Sequence, residues 1–345
     1  MSQRFRRGLA VGKFSPLHRG HEALIRRAIE CCDEVLLISY SQPELPGCDA
    51  ERRDRWLSSV FPGIRHVAVT DQRLRAWGCS ADGLRKVPRD DASAATHRRF
   101  CALLCLEILG GPVDAVFTGE KYGDGFAEEL TRCFRERETS IPRVTHVSVN
   151  REAVPISGTE IRRDVDAHRE WLAPVVYGSF VRRVCLLGGE STGKSTLAVA
   201  LARVLDTAYV AEYGRELWDE RTGRLTFEDM RRIAEVQVSR EEEAAPEAHR
   251  YLFCDTSPLT TLFYSREMFG KAEPELERLA NRAYDFTVLC MPDFAFVQDG
   301  TRQPESFRQR QHEWYVRELA TRRIPYVSVL GPVEARVMQI VDLLP

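Results

Sequence analysis

The chain has 345 residues, of which 43% are hydrophobic and 29% are charged, and its formal net charge is −2 at pH 7. This length predicts two domains, and the composition is that of a globular protein whose domains each bury a core. Nucleic-acid binding needs concentrated positive charge, and the net charge of −2 gives no sign of it. We therefore expect no nucleic-acid partner.

Two local arginine-rich stretches are interpreted as solvated faces instead of a DNA footprint. They consist of Arg4, Arg6 and Arg7, and of Arg52, Arg53 and Arg55.

The sequence predicts neither a signal peptide nor a membrane partner. Lys13 and His18 interrupt the apolar run near the N-terminus, and no segment reaches roughly 18 uninterrupted apolar residues. The ten cysteines are scattered without a CxxC pair, which indicates reduced thiols and a cytoplasmic location. His97, Cys101 and Cys105 could share a helix face, and we interpret them as core residues because a structural zinc site usually needs four ligands.

Strand-like and helix-like runs alternate along the first half of the chain. The predicted strands are residues 8–11, 34–40, 64–70, 114–118 and 143–149, and the predicted helices are residues 20–31, 50–60, 92–109 and 126–137. This alternation predicts a Rossmann-like α/β domain with a parallel, doubly wound sheet over residues 1–167. Residues 71–91 are polar and aperiodic, and could be a substrate-covering loop or an insertion.

The second half repeats the alternation after an apolar connecting segment, residues 168–180, which we expect to pack against both domains. A second α/β domain with a parallel sheet is predicted over residues 181–345. Its predicted strands are residues 181–187, 207–212, 251–254, 286–290 and 326–329, and its predicted helices are residues 194–205, 226–243, 258–269, 273–284, 305–323 and 333–344.

Residues 12–21 read GKFSPLHRGH and follow the first predicted strand. A glycine at the strand end lets the backbone approach a phosphate, and the start of the next helix favours an anion. Imidazole and ammonium groups can bind phosphate oxygens, so the motif is typical of nucleotidyl transfer, in which developing charge must be stabilised. The residues expected to act here are Gly12, Lys13, Phe14, His18, Gly20 and His21.

Residues 156–162 read ISGTEIR and follow the last strand of the first domain. Ser157 and Thr159 are good helix N-cap residues, and their hydroxyls with the free amides would form an anion site. Arg162 can reach the same triphosphate. Alone, the segment could be an ordinary capped helix; together with the first motif it indicates a shared ATP site.

Residues 188–196 read GGESTGKST and match a P-loop between a strand and a helix. In such a loop backbone amides surround phosphates, the lysine reaches the β and γ phosphates, and the following serine binds Mg²⁺. A GTPase, an ATPase motor and a small-molecule kinase all fit this pattern. The expected binding residues are Gly188, Gly189, Glu190, Ser191, Thr192, Gly193, Lys194, Ser195 and Thr196.

A phosphoryl acceptor needs a carboxylate to take or orient its hydroxyl proton. Glu212 is our first choice for the base, with Asp255 near Mg²⁺ or the acceptor ribose, although either could be a solvated strand-end residue. Residues 297–302 end at Arg302 and precede Arg308 and Arg310; they could form a kinase lid over the phosphoryl group or an exposed surface loop.

Residues 12–21 with residues 156–162 resemble the HxGH nucleotidyltransferase superfamily. Residues 117–123, FTGEKYG, are similar to a segment of its nicotinamide mononucleotide adenylyltransferase members, with Gly119 in the place of the usual serine. The resemblance implies that His18 and His21 bind and polarise the ATP phosphates without a covalent enzyme intermediate.

The second half resembles the ribosylnicotinamide kinase domain of NadR-type bifunctional proteins. The similar segments are residues 188–196, 212–216, 255–256, 292–293 and 297–302. Some members carry an N-terminal helix-turn-helix domain; we expect none here, since the first predicted strand begins at residue 8.

The resemblance implies a transferase that phosphorylates nicotinamide riboside and then joins the nicotinamide mononucleotide to AMP, giving NAD, with ATP and Mg²⁺ in both steps. Rivals are a nucleotide- or NAD-sensing regulator and the same folds acting on another nucleoside. Trp56 or Trp77 could stack on the nicotinamide ring, although each is more often a packing residue. A homo-oligomer is compatible with the sequence, but nothing in it marks an interface.

Overall fold

The computed structural model describes residues 4–79, 82–119, 123–149, 154–293 and 305–344. The chain divides into two compact units, Met1–Tyr177 and Gly178–Pro345. Each unit contains one five-stranded sheet in which every strand pair is parallel, with helices between successive strands. The predicted two-domain α/β architecture is therefore confirmed.

The first unit is built from alternating strands and helices. Its strands are β1 (Phe5–Gly12), β2 (Cys32–Ser39), β3 (Arg65–Ala68), β4 (Ala115–Thr118) and β5 (Thr145–Ser148). Its helices are α1 (Arg19–Cys31), α2 (Ala50–Val60), α3 (Asp71–Ala76), α4 (Ala94–Glu107), α5 (Gly123–Arg135), α6 (Gly158–Arg163) and α7 (Pro174–Gly178).

The strand order β3-β2-β1-β4-β5 places the first motif at a topological switch point. The chain builds outward from β1 to β3, then returns to place β4 on the other side of β1. Helices diverge from this point, so a crevice opens at the carboxyl ends of β1 and β4, where ligands bind in open α/β sheets. The central strands β1, β2 and β4 are buried over most of their lengths, as expected for strands covered on both faces.

The second unit repeats this plan with a different connection pattern. Its strands are β6 (Arg182–Leu187), β7 (Tyr209–Val210), β8 (Tyr251–Asp255), β9 (Phe286–Cys290) and β10 (Val327–Val329). Its helices are α8 (Lys194–Val204), α9 (Tyr213–Glu220), α10 (Phe227–Ala244), α11 (Pro258–Phe269), α12 (Pro274–Leu279), α13 (Glu305–Arg322) and α14 (Val333–Val341). The strand order is β10-β9-β6-β8-β7, so the P-loop after β6 lies at the centre of the carboxyl edge.

One short helix, α3, and one short strand, β7, differ from the sequence prediction. Thr70 caps α3 by accepting from the Arg73 amide, so the polar 71–91 segment begins as a helix. β7 pairs with β8 at only two residues, because the chain turns into α9 directly after Glu212.

The prediction that the arginine-rich stretches are solvated is wrong for two members. The side chain of Arg7 is buried and donates to Glu34 at 2.7 Å and to the Leu109 carbonyl at 2.8 Å. Arg53 is fully buried and donates to the Ser39 hydroxyl at 2.8 Å and to Glu44 at 2.7 Å. Buried guanidinium groups require such partners, since an unpaired buried charge is strongly destabilising.

The interpretation of His97, Cys101 and Cys105 as core residues is confirmed for the two cysteines, while His97 is half-buried beside the core. Both cysteines are buried in the hydrophobic core of the first unit, and His97 Nδ1 lies 2.9 Å from the Tyr40 hydroxyl. Among the described residues, no group of three or more histidine, cysteine or acidic side chains could hold a metal ion. All ten cysteines are free thiols.

Within the described part of the chain, no helix combines the length and the apolar character needed to cross a membrane.

Candidate functional site

The two predicted histidines lie together where β1 passes into α1. His18 caps α1, and its Nδ1 accepts a hydrogen bond from the Gly20 amide at 3.1 Å. A backbone amide can only donate, so the proton of the neutral His18 ring is on Nε2. The His18 and His21 ring centroids are 3.8 Å apart. The pair therefore forms one compact group at the helix N-terminus, where the macrodipole favours an anion.

Gly12 and Gly20 are required by close packing around these rings. A Cβ on Gly20 would lie 3.0 Å from His18 Cε1, and a Cβ on Gly12 would lie 2.8 Å from the Phe14 ring. Phe14 is fully buried and contacts the His21 ring edge-on, with the centroids 5.1 Å apart. Its φ of 48° is a left-handed conformation that costs a non-glycine residue free energy. Phe14 thus supports His21 from inside the molecule.

The structure brings the 156–162 segment onto the first motif, as predicted. Arg162 donates to the Ser15 carbonyl and, at 3.1 Å, to the Thr159 hydroxyl. A Cβ on Gly158 would lie 3.0 Å from the Ser15 carbonyl oxygen, so a glycine is needed where α6 meets the loop. The guanidinium of Arg162 is therefore anchored beside the histidine loop although it lies far away in sequence.

Ser157 caps α6 as predicted, but its hydroxyl is engaged within the helix. It donates to the Glu160 carboxylate at 2.6 Å and accepts from the Glu160 amide at 3.2 Å. The Ser157 amide also donates to the Glu160 carboxylate at 2.9 Å, which completes a capping box. Hydrogen bonds from the Ser157 hydroxyl and amide lower the pKa of Glu160. Direct phosphate binding by the Ser157 and Thr159 hydroxyls stays a prediction.

Lys13 makes an ion pair that the sequence analysis did not anticipate. Its Nζ donates to Asp90 at 2.6 Å, and Asp90 also accepts from the Ser41 hydroxyl and the Gln42 amide, both at 3.0 Å. Burial alone would raise the pKa of Asp90, but the bonds from Lys13, Gln42 and Ser41 outweigh it and lower the pKa. The end of the 71–91 segment therefore contacts the first motif through Asp90.

The P-loop has the backbone that phosphate binding requires. Gly188, Ser191 and Gly193 have positive φ values of 151°, 60° and 77°, which turn successive amides toward one centre. A Cβ on Gly188 would lie 2.8 Å from the Cys290 carbonyl oxygen, and a Cβ on Gly189 would lie 2.9 Å from that of Arg308. Only glycine fits at either position. Gly193 then starts α8, whose N-terminus carries Lys194, Ser195 and Thr196.

Side chains from two later helices hold the P-loop in place. Gln311 accepts from the Glu190 amide at 2.9 Å, and Arg336 donates to the Thr192 carbonyl at 2.8 Å. Thr192 and Lys194 both donate to the Gly189 carbonyl, at 2.8 and 3.0 Å. Neither Gln311 nor Arg336 belongs to a motif, so the sequence offered no signal for them.

Two carboxylates lie near Lys194: the half-buried Glu212 just after β7, and the buried Asp255 at the end of β8. Asp255 is 2% exposed, and its Oδ1 has no hydrogen-bond partner in the described part of the chain. Burial raises the pKa of Asp255, against the opposing effects of Lys194 and the Ser195 hydrogen bond. Burial also raises the pKa of Glu212; Lys194 opposes this shift and Asp255 reinforces it. Clustered, shifted carboxyl groups are typical of functional sites.

A cavity of about 360 Å³ opens beside this cluster. Its polar lining includes Glu190, Glu212, Arg215, Gln237, Thr256, Glu267 and Arg310. Its apolar and aromatic lining consists of Trp218, Leu225, Met230, Ile233, Tyr264, Met268 and Phe307. Tyr264 donates to the Glu190 carboxylate at 2.8 Å, which links the cavity wall to the P-loop. The volume suits a small organic molecule.

The aromatic candidates chosen from sequence do not line this cavity. Trp56 is 1% exposed and packs in the interior of the first unit, and Trp77 is partly exposed at the end of α3. Trp218 and Tyr264 line the cavity instead. Trp218 lies three residues after Arg215 on α9, a spacing that places both side chains on one face of the helix. This spacing could have indicated Trp218 from the sequence.

The predicted lid lies partly outside the described residues, because residues 297–302, including Arg302, are not among them. Arg308 is buried and donates to Glu305 at 2.8 Å, and the Arg310 guanidinium lies 5.4 Å from the Phe307 ring centroid.

Fold and geometry together define a two-unit nucleotide-binding α/β protein with a histidine site in one unit and a P-loop in the other. The model of the AAA domain family matches residues 183–336. The chain is 28% identical over 318 residues to the trifunctional NAD biosynthesis/regulator protein NadR of Escherichia coli, covering 86% of this chain and 71% of the relative. The predicted resemblance to NadR-type proteins is confirmed.

Two solved NadR structures share this fold. A NadR protein in complex with NAD and AMP-PNP superposes with a TM-score of 0.66 at 21% identity, covering 99% of this chain and 95% of that protein. A NadR protein in complex with NR gives a TM-score of 0.67 at 22% identity, covering 99% and 96%.

Proposed function

We propose that this protein is a bifunctional enzyme of NAD salvage. The second unit phosphorylates nicotinamide riboside with ATP, and the first unit adenylylates the resulting nicotinamide mononucleotide with a second ATP, giving NAD and pyrophosphate. The observation that carries the proposal is the pair of different nucleotide sites, one in each unit, in a chain similar to NadR along most of its length. We assign the two activities to the units on either side of the Tyr177–Gly178 boundary.

In the kinase step the 5′-hydroxyl oxygen of the riboside attacks the γ-phosphorus of ATP, and the bond to ADP breaks. Glu212, at the cavity wall, takes the hydroxyl proton, because its raised pKa makes it a stronger base than an ordinary carboxylate. Lys194 and the P-loop amides bind the phosphates and stabilise the charge that develops on them.

The residues around the P-loop fit a magnesium ion. Mg²⁺ prefers oxygen ligands, and the Ser195 hydroxyl at the start of α8 and the Asp255 carboxylate at the end of β8 would supply them. When bound, Mg²⁺ would neutralise charge on the ATP phosphates.

The cavity chemistry suits the pyridinium ring of nicotinamide riboside. Trp218 and Tyr264 offer aromatic faces, which attract a cationic ring through their quadrupoles. The carboxylates of Glu190 and Glu267 also line the cavity and favour a positive charge.

In the adenylyl step a phosphate oxygen of the mononucleotide attacks the α-phosphorus of ATP, and pyrophosphate leaves. The His18 Nε2–H, His21 and the amides at the start of α1 bind the phosphate oxygens, and Arg162 adds a fixed positive charge. No side chain needs to form a covalent bond, because positioning and electrostatic stabilisation are sufficient for this reaction.

Incubation of the protein with nicotinamide riboside, ATP and Mg²⁺ tests the proposal, with products followed by mass spectrometry. We expect the mononucleotide to appear first and NAD later, with ADP and pyrophosphate as co-products. A panel of other nucleosides should be turned over more slowly. Absence of both nicotinamide products would refute the function.

A regulatory role is the second candidate, because the relative from Escherichia coli is named a regulator as well as a biosynthesis protein. Tight NAD binding without turnover would favour it. We further propose a cytoplasmic location, which suits the ten free thiols and the use of ATP.

A further inference from the structure

Gln237 lies on α10 with its side chain in the wall of the kinase cavity, and it is 3% exposed. Its Oε1 accepts a hydrogen bond from the backbone amide of Tyr213 at 3.0 Å. Because an amide N–H can only donate, this bond fixes which end of the Gln237 side chain is oxygen and which is nitrogen. The amino group Nε2 therefore points away from Tyr213.

This amino group is an unsatisfied buried donor. Gln237 Nε2 has no hydrogen-bond partner in the residues that the structure describes. A buried donor left unpaired destabilises the folded state, and few such groups occur in a folded protein. A donor kept in the wall of a cavity becomes satisfied when a ligand supplies an acceptor.

The neighbours of Gln237 give this donor a defined place in the site. Tyr213, whose amide it binds, directly follows Glu212, and the apolar side chains of Met230 and Ile233 on the same helix line the cavity beside it. The donor is thus fixed relative to the proposed base, next to two apolar side chains of the cavity wall. A hydrogen bond at this position would discriminate strongly between nucleosides that carry the accepting oxygen and those that lack it, since the latter leave a buried donor unpaired.

We propose that Gln237 Nε2 donates a hydrogen bond to an uncharged oxygen of the acceptor nucleoside and is a specificity-determining residue of the kinase site. The oxygen belongs either to a ribose hydroxyl or to the carbonyl of the ring substituent. The inference rests on the proposed function of the second unit.

Two variants test the proposal in the full-length chain. Gln237→Glu keeps an oxygen for the Tyr213 amide but removes the donor, and Gln237→Met removes both at similar volume. We expect the KM for nicotinamide riboside to rise at least about tenfold in each, and the KM for ATP to change less than about twofold. Glu235→Gln, on the exposed face of the same helix, is the matched control and should leave both constants unchanged.

Substrate analogues identify the oxygen. Each variant is compared with the original protein on nicotinamide riboside, on pyridine riboside, which lacks the carboxamide, and on the 2′-deoxy and 3′-deoxy ribosides. The variant and the original protein should have the same KM for the analogue that lacks the bound oxygen, as in a double-mutant cycle. Equal KM values for pyridine riboside would assign the bond to the carbonyl. Equal KM values for one deoxyriboside would assign it to the hydroxyl which that analogue lacks.

The outcomes separate the inference from the function on which it rests. If the original protein phosphorylates nicotinamide riboside and Gln237→Glu has the same KM, the inference is wrong and the function stands. A rise in KM that is equal for every analogue would also overturn it, since Gln237 would then act through packing alone. If the original protein phosphorylates no nucleoside, the proposed function itself fails. Gln237→Glu carries the test should Gln237→Met not fold.

Discussion

Lys13 and Asp90 show how a single ion pair connects a motif to a segment that has no motif. Asp90 lies at the end of the polar 71–91 segment, and its carboxylate is held by Ser41 and Gln42 as well as by Lys13. The carboxylate is therefore fixed, and it in turn fixes the lysine ammonium at the end of β1. Lys13 would otherwise be a flexible side chain whose ordering costs entropy each time substrate binds.

Asp90→Asn should slow adenylyl transfer about tenfold while the kinase rate stays unchanged, because Lys13 loses its anchor but keeps its charge. The loss of stability should remain below about 1 kcal/mol, since Lys13 is half exposed and such pairs contribute little. The measurement is the rate of NAD formation from the mononucleotide. Asp91→Asn, in an exposed pair with Arg89, is the control.

Glu212 gives the kinase reaction a pH dependence with a defined direction. Burial and Asp255 raise the pKa of the Glu212 carboxyl, and Lys194 only partly offsets them. The base acts as the carboxylate, so kcat/KM should rise with pH as Glu212 and Asp255 ionise and then level off above their raised pKa values.

Glu212→Gln should lower the kinase kcat by about 100-fold to 10,000-fold and make the remaining pH dependence less steep, because only Asp255 then titrates. Rates measured from acidic to neutral pH at saturating ATP test this. A variant with the original rate and profile would assign the base elsewhere.

At the scale of the element, α14 holds the P-loop in place through one buried side chain, Arg336. Arg336 is 1% exposed and donates to the carbonyls of Thr192, Gly331 and Met291, at 2.8, 2.8 and 3.0 Å, and to Asp293. The loop after β9, the loop after β10 and the P-loop are thereby held together. α14 thus holds the P-loop in place, although no motif marks it.

Arg336→Met should reduce the free energy of unfolding by about 3–5 kcal/mol, because three carbonyl groups and a carboxylate lose their shared donor. The KM for ATP in the kinase step should rise, while adenylyl transfer stays unchanged. Denaturant titration and kinase kinetics measure the two effects. Arg203→Met, on the exposed surface of α8, should alter neither.

At the scale of the whole molecule, the two sites belong to separate compact units with separate cores. The histidines, Arg162 and Asp90 all lie in the first unit, and the P-loop, both carboxylates and the cavity all lie in the second. We therefore expect each activity to respond to substitutions in its own unit.

Lys194→Ala should abolish phosphorylation of the riboside and leave adenylylation of added mononucleotide intact. His18→Ala should do the opposite, since it removes the ring that caps α1 and that we propose binds phosphate. Each variant is assayed with both substrates, and a mixture of the two should again form NAD from the riboside. Loss of both activities in either folded variant would contradict independent sites.

The sequence by itself determined the fold class, most strands and helices, and the position of both motifs predicted to bind phosphate. These motifs depend on local backbone geometry, which contiguous residues determine. The glycines, the His18–His21 pair and the P-loop can therefore be identified from sequence. The prediction was wrong for the buried Arg53 and for the length of β7, because burial and strand pairing depend on distant partners.

Only the tertiary structure decided which side chains surround each site. Asp90, Gln237, Trp218 and Arg336 come from elements outside the motifs and reach the sites because parallel strands gather their following loops at one edge of a sheet. Their roles depend on contacts between residues distant in the chain, such as the single hydrogen bond that orients Gln237. Such contacts leave no periodic or local signal, so they can be identified only after the chain has folded.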